Sequence, residues 1–256
     1  MSEGGSSFSN SMRILHYNIL NGFGHEPKRI KAFLAYLKGR SYDIILLNEY
    51  QSRSAELADS LTAEGYCYAV VNMTAPSSNR CAIFSRIPFK NRSCSEGFRF
   101  LHIEIGELGI VSYHASPRGV ESVMEEAGKL LPMIEGRCNT ILAGDFNSLS
   151  PGDRMRFRYE RPLGEIPARY LSGDTVSYDF IRLLEANGFI DVDDGSMLYN
   201  HTVPTGITHS EGYDFRARLD YAYARLDGSF SASSRVLQDA SFDFLSDHYP
   251  LEISIA

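Results

Sequence analysis

Two short stretches carry the side chains best able to do chemistry, Thr140-Ile-Leu-Ala-Gly-Asp-Phe-Asn147 and Ser246-Asp-His-Tyr-Pro250. In the first, an apolar run ends in a carboxylate and an amide two residues apart; in the second, a carboxylate precedes an imidazole. This combination suits metal-assisted phosphate chemistry, in which hard oxygen ligands hold a divalent cation and N–H donors meet phosphoryl oxygens.

Ile141, Leu142 and Ala143 have the length and flanking of a buried strand, and Gly144 marks where it gives way. Period-two alternation then sends Asp145 and Asn147 to one side and Phe146 to the core. The same two residue types also close Asx-type turns, so a purely local role stays open. Ser246-Asp247-His248 is equally ordinary loop material. The segment after it, however, alternates Leu251, Ile253 and Ile255 with Glu252 and Ser254, which reads as a final half-buried strand with Asp247 and His248 at its mouth.

The elements that must position these groups alternate along the chain. Arg13 to Asn18 reads as a strand running into a turn at residues 20–24, and Pro27 opens a helix that buries Ile30, Phe33, Leu34 and Leu37. Asp43 to Leu47 is a continuous apolar strand ending at Asn48-Glu49, and Ser54 to Ala63 a short helix stopped by Gly65. Strands follow over 66–71, 80–85 and 98–105, the last paired through Gly106 to Gly109 with Ile110 to His114. Helices are expected over 120–134 and 176–186, the second stopped by Gly188, and strands over 219–224 and 251–256. Mixed order with several hairpins argues for two packed sheets covered by helices, an α+β architecture, rather than one parallel sheet.

Composition bounds the function. With 256 residues, 43% of them hydrophobic, the chain can bury a full core, and no boundary favours two domains over one. The net charge of −7, from 25 basic and 32 acidic residues, gives no electrostatic case for non-specific duplex DNA binding, so any nucleic-acid contact must be local. Cys67, Cys81, Cys94 and Cys138 lack CxxC or CxxH spacing; this disfavours structural zinc and suits reduced thiols, with a disulfide pair left open. Residues 1–11 read as a Ser/Gly-rich tail without the apolar core of a signal peptide, which leaves residues 12–256 as the domain. No apolar run is long enough to span a membrane, and the expected location is the cytoplasm. Nothing in the sequence bears on oligomeric state.

Asn18, Glu49, His114, Asp145, Asn147, Asp220 and the Asp247-His248 pair all fall at or beside expected strand ends. Singly, Glu49 reads as a solvated residue after a strand, Asn18 as a turn former and His114 as a loop histidine. Together they are acid, amide and imidazole groups delivered to one rim.

The blocks His16 to Gly22 (HYNILNG), Leu46 to Glu49 (LLNE), Val111 to His114 (VSYH), Leu142 to Ser148 (LAGDFNS), Arg218 to Ala224 (RLDYAYA) and Ser246 to Leu251 (SDHYPL) resemble, in order and approximate spacing, the endonuclease/exonuclease/phosphatase superfamily. The superfamily includes deoxyribonucleases, abasic-site endonucleases, deadenylases, inositol-polyphosphate phosphatases, sphingomyelinases and tyrosyl-DNA phosphodiesterases. The resemblance implies a four-layer αββα sandwich of two mixed β-sheets flanked by helices, with the site where the sheets meet. It also implies Mg²⁺, with Mn²⁺ as substitute, held by Glu49 with Asn18 in the same pocket and Asp247 completing the metal side. Asp145 would activate water, Asn147 would hold that water or a phosphoryl oxygen, His248 would donate to the phosphate with Asp220 behind it, and His114 would face the phosphate. The chain departs from the pattern in carrying Asn48 where members commonly have Gln, and in having no tryptophan, which weakens an abasic-site assignment.

Arg154, Arg156, Arg158 and Arg161 interleave with Phe157 and Tyr159, and Arg216 and Arg218 precede Asp220. Arginine forks bind phosphate and aromatics stack on bases, so Arg154, Arg156, Arg158 and Arg216 are candidate substrate contacts; pairing with nearby acids is the competing reading. The functional expectation is a Mg²⁺-dependent phosphodiesterase acting on nucleic acid or a related phosphodiester. Its alternatives are a phosphatase or phospholipase acting on a small ester or lipid headgroup and, least supported, a non-catalytic phosphate-binding protein.

Overall fold

The apolar runs of the sequence become the central strands of two facing sheets. A computed structural model describes residues 11–51, 55–72, 80–93, 99–159, 165–195 and 200–256. Most of the expected tail, the Ser54 and Phe98 element starts, Cys94 and Arg161 lie outside the described residues. In chain order the strands are β1 (Met12–Asn18), β2 (Ile44–Tyr50), β3 (Tyr68–Val71), β4 (Arg80–Ser85), β5 (Lys90–Asn91), β6 (Phe100–Ile105) and β7 (Leu108–His114). They continue with β8 (Thr140–Asp145), β9 (Leu171–Ser172), β10 (Thr175–Val176), β11 (Ile190–Asp191), β12 (Asp220–Arg225), β13 (Ala232–Val236) and β14 (Leu251–Ile255).

One six-stranded sheet has the order β13-β14-β1-β2-β4-β3 and the other β11-β12-β8-β7-β6-β5, with β9 and β10 forming a separate small ladder. Both sheets are mixed: β1 with β2 and β7 with β8 are parallel, and the remaining pairs are antiparallel. Ile14, Ile83, Ile103, Ile110, Ile141, Ala143 and Ala222 share one core between the sheets. Outside the first sheet, Ile30 and Phe33 of the Pro27–Leu37 helix and Leu57 and Leu61 of the Ala55–Ala63 helix join that core. Outside the second, the Val120–Ile134 and Asp179–Ala186 helices pack on Val111, Tyr113, Leu142, Tyr221 and Tyr223. The layers are therefore helix, sheet, sheet, helix, the αββα sandwich expected.

Alternation along each strand decides what the site contains. Leu15 and Tyr17 turn toward the helices, where Tyr17 meets Phe23, Phe33 and Phe242 edge to face or tilted. Ile14, His16 and Asn18 consequently face the other sheet. The same parity turns Ser112 and His114 of β7, Asp145 of β8 and Asp220 of β12 inward, while Tyr113, Phe146 and Tyr221 enter the outer core. The inner faces are apolar through the middle of the sandwich and polar at one end.

Several elements differ from the sequence expectation, among them short strands β5, β9 and β11 and a Gly206–Ser210 helix that no periodic signal announces. The helix expected from Val176 starts at Asp179, because Val176 pairs in β10 and the Ser177 hydroxyl accepts the Asp179 N–H at 3.2 Å. Strand β13, Ala-Ser-Ser-Arg-Val, lacks an apolar alternation and forms as an edge beside β14. The hairpin between β6 and β7 is tighter than expected, with Ile105 paired to Leu108. Cys67, Cys81 and Cys138 are free thiols.

Candidate active site

The strand register brings the site residues into a row. His114 on β7 lies opposite Asp145 on β8, and Asp145 lies opposite Asp220 on β12. On the facing sheet, Asn18 lies opposite Asn48. The pairing of β2 with β4 slips by one residue between Leu47 and Tyr50, and Glu49 takes a left-handed φ of 60°. This bulge re-aims a side chain that plain alternation would send to the helices, and its backbone cost is of the kind concentrated at functional sites.

Polar contacts stitch the sheets together under the row. The Asp145 N–H donates to Asn48 Oδ1 at 3.0 Å, while Asn48 Nδ2 reaches Cys81 Sγ at 3.3 Å and Ser112 Oγ at 3.5 Å. The shorter amide at position 48 is thus a fully buried bridge between the sheets. Asn18 Nδ2 donates to Asp145 Oδ2 at 3.1 Å and to Glu49 Oε1 at 3.4 Å. Its own oxygen accepts the Leu20 N–H at 3.2 Å, so in this arrangement Asn18 orients the two carboxylates of the pocket in which it was expected to serve.

Asp145 and Asn147 close a local turn and also aim their side chains at one point. The Asn147 N–H bonds Asp145 Oδ1 at 2.9 Å, an Asx-type closure, with Asn147 at φ 43°. Asn147 Nδ2 nevertheless points to the same place, donating to Asp145 Oδ2 at 3.2 Å and to the Ala115 carbonyl at 3.1 Å. Two imidazoles approach this oxygen beyond hydrogen-bond distance, His114 Nε2 at 3.6 Å and His248 Nε2 at 3.8 Å.

Behind His248, Asp220 Oδ2 accepts from Nδ1 at 2.7 Å, and its other oxygen lies 2.9 Å from His16 Nε2. An ionised carboxylate only accepts, so both imidazoles donate. Ser246 Oγ donates to the Asn18 carbonyl at 2.7 Å, tying the loop that carries Asp247 and His248 to the end of β1.

The electrostatics separate these groups into distinct states. Burial pushes the Asp145 carboxyl well above the usual range, helped by Asp220 and Glu49 and opposed by His248. Burial also raises Glu49, and the neighbouring Asp247 carboxylate adds to it. Burial would raise Asp220 too, but His248 and His16 outweigh it and hold this group well below the carboxylate range. His248 is kept protonated because Asp220 and Asp145 override its burial. His114 is pushed down to about 3 by burial, by Arg99 and by His248, and is neutral.

A cleft of about 260 Å³ opens on these groups, lined by Glu49, His114, Asp145, Asn147, Asp247 and His248 and walled by Arg169 and Tyr213. Among the described residues no three His, Cys, Asp or Glu side chains form a closed metal cage. The donor set is instead two hard carboxylates, Glu49 and Asp247, that repel each other across the cleft. It fits a largely hydrated divalent ion held by one or two carboxylates, and not a tetrahedral zinc site.

The middle of the arginine-rich segment is committed within the fold. Phe157 and Tyr159 are buried against Phe215 and Tyr170, and Arg156 pairs with Asp153 at 3.3 Å and Asp193 at 3.0 Å. Arg154, Arg158 and Arg216 are exposed, and none of the four is among the described residues lining the cleft. The cleft arginine is Arg169, which sits in a single 3-10 turn, Ala168–Tyr170, too short to leave a periodic signal. His16 was also missed, although the inward alternation Ile14, His16, Asn18 marks it.

The model of the Endonuclease/Exonuclease/phosphatase family matches residues 15–248. No curated protein sequence matches the chain. Among solved structures, an endonuclease/exonuclease/phosphatase from Beutenbergia cavernae superposes with a TM-score of 0.65 at 17% identity, over 96% of this chain and 71% of that one. ANGEL2, described as a 2′,3′-cyclic phosphatase, gives 0.65 at 17% identity over 96% and 95%. The human Nocturnin catalytic domain with bound sulfate gives 0.61 at 15% identity over 96% and 94%. Identities this low speak for the fold alone. The family match over nearly the whole domain, with the motif residues gathered on one rim, makes this chain a member of the endonuclease/exonuclease/phosphatase family, whose members hydrolyse phosphate esters.

Proposed function

We propose that this chain is a divalent-metal-dependent phosphodiesterase that cleaves its substrate by in-line attack of water, with Mg²⁺ or Mn²⁺ as the metal. The observation that carries the reading is the convergence on one cleft of a buried, proton-hungry carboxylate at Asp145, a carboxylate pair at Glu49 and Asp247, and two imidazoles, one neutral at His114 and one protonated at His248.

Glu49 and Asp247 would hold the metal, which when bound polarises the phosphoryl group and offsets charge on the leaving oxygen. Asp145, oriented by Asn18 and Asn147, takes the proton of the attacking water; its raised affinity for protons makes it a better base than a solvated aspartate. His248 presents an Nε2–H to a phosphoryl oxygen as an imidazolium, held by Asp220 at Nδ1. His114 is a neutral donor in the same space. The cleft's size and the net charge of −7 favour a small diester or a strand end over the flank of a duplex.

The test is hydrolysis of bis(p-nitrophenyl) phosphate and of single-stranded and duplex oligonucleotides in Mg²⁺, Mn²⁺ or EDTA. Metal-dependent turnover should fall by about 10²–10⁴ in Asp145→Asn, and Glu49→Ala should need more metal for half-maximal rate. Turnover that survives EDTA, or an Asp145→Asn enzyme with full activity, would overturn the reading.

A further inference from the structure

Among the described residues, Arg169 is the arginine that lines the catalytic cleft. It stands on the Ala168–Tyr170 turn, whose last residue is pinned from both sides. The Tyr170 N–H donates to the Pro167 carbonyl at 2.9 Å, and the Tyr170 carbonyl accepts from the Ser177 N–H at 2.9 Å. The Tyr170 ring belongs to a stack: it lies on Phe215 at 5.7 Å between centroids, and Phe215 lies on Tyr159 at 6.2 Å. The Arg169 guanidinium sits over Tyr170, 4.9 Å from the ring centroid. The side chain is thereby seated before any substrate arrives, which lowers the ordering entropy that a loose surface arginine would lose on gripping a ligand.

What holds Arg169 also leaves its charge intact. Arg156 is bound by Asp153 and Asp193, and Arg218 by Asp153, Asp191 and Asp193. Arg169 instead meets an aromatic face and the neutral phenols of Tyr170 and Tyr213; burial raises both phenols, and the guanidinium opposes it at each. Among the described residues no carboxylate lies within ion-pair distance of it. Burial would lower the Arg169 pKa, but Tyr170, Tyr213 and Asp145 outweigh it, and a small recess is lined by Asn147, Arg169 and Tyr170 together. Arg169 therefore stands on the Asp145–Asn147 side of the cleft. The cleft otherwise gathers the carboxylates of Glu49, Asp145, Glu211 and Asp247 around one imidazolium, His248. An anion entering such a cleft meets repulsion unless fixed positive charge offsets it, and a guanidinium fork matches the oxygens of a phosphate.

We infer that Arg169 is a substrate-contacting residue, whose fork takes non-bridging oxygens of the phosphate being hydrolysed from the Asp145–Asn147 side, while Glu49 and Asp247 serve the metal. The identity of the bound group rests on the phosphodiesterase reading, but the test reads binding of inorganic phosphate and needs no turnover.

Phosphorus NMR titrations of inorganic phosphate in Mg²⁺, on wild type, Arg169→Gln and Arg169→Lys, read the contact, and Mn²⁺ binding followed by electron paramagnetic resonance reads the metal side. The wild type should bind phosphate, Arg169→Gln about tenfold or more weakly, and Arg169→Lys in between, since lysine keeps the charge without the fork. Mn²⁺ should bind Arg169→Gln as tightly as wild type or more tightly, because a cation has left a cleft of carboxylates; an arginine that only propped the cleft would take metal and phosphate binding with it. The contact is overturned by a wild type that does not bind phosphate, by equal phosphate affinity in wild type and Arg169→Gln, or by loss of Mn²⁺ in the Gln variant with neither ligand recovered in the Lys variant. Phosphate binding that depends on Arg169 in a protein inert toward bis(p-nitrophenyl) phosphate would refute the phosphodiesterase reading and leave the contact standing.

Discussion

Asp220 is fully buried and shares its two oxygens between two imidazoles, His16 and His248. A lone carboxylate in that position would take up a proton, because burial penalises its charge; the two donors reverse that balance. His16 therefore acts through Asp220 on the orientation of His248. Replacing it as His16→Leu keeps the volume but strands Asp220 Oδ1 without a donor, at a cost of about 1–3 kcal/mol. The expected outcome is a lower melting temperature together with, on the proposed phosphodiesterase reading, a fall in kcat larger than any change in KM, since His248 would donate to charge that develops on the phosphoryl group in the transition state. Unchanged melting and kcat would remove His16 from the site. At this scale the sequence was legible where side-chain chemistry is unusual for its place: acids and imidazoles at the ends of apolar strands. It was illegible for Arg156, because arginine serves phosphates and acids alike, and only the positions of Asp153 and Asp193 decide which.

The parallel pairing of β7 with β8 places His114 beside Asp145, and Gly144 is what lets the strands lie so close. A Cβ at Gly144 would fall 1.7 Å from the Tyr113 carbonyl oxygen, with Tyr113 held in the outer core against Phe146 and Phe180. Backbone cannot yield as a side-chain tip can, so Gly144→Ala should destabilise by on the order of 3 kcal/mol or more. Gly128 is the contrasting case: it is exposed in the Val120–Ile134 helix, with no atom within 4 Å of an added Cβ. Gly128→Ala should stabilise by roughly 0.5–1 kcal/mol. Denaturant unfolding of the pair measures both, and similar shifts of the same sign would refute the steric account. Elements with a long periodic signal, such as the Val120–Ile134 helix or the β2 run, were legible because their own burial dictates them. Strand β13 was not, since its Ser and Arg side chains follow from a place at the sheet edge that only β14 provides. The bulge at Glu49 was likewise invisible, being a mismatch between two strands distant in the chain.

For the whole molecule, the polar site at one end of the sandwich leaves the far end free to respond to pH on its own terms. His102 on β6 is 1% exposed, and its Nε2 lies 3.2 Å from where a Cβ on Gly109 would stand, beside the start of β7. Burial lowers its pKa to about 4, and Arg137 and Arg92, both paired with Glu104, add to the shift. An exposed histidine titrates near about 6.5. Between these two values the unfolded chain binds a proton that the folded chain refuses, so stability rises with pH across this window and is lost on acidification. His248 has the opposite sign: its pKa is raised in the fold, so its contribution is complete below the unfolded value and is lost as pH rises through the folded one. Buried carboxyls raised in the fold, Asp145 and Glu49 among them, also oppose His102 under acid conditions, so the wild-type profile alone does not isolate it. The comparison with His102→Gln does. On going from pH 7 to pH 5 the wild type should lose on the order of 2 kcal/mol more than the variant, the difference set by the two titration points of one imidazole. Urea unfolding of both proteins at the two pH values reads this directly, and parallel losses would mean that His102 keeps its ordinary proton affinity inside the fold.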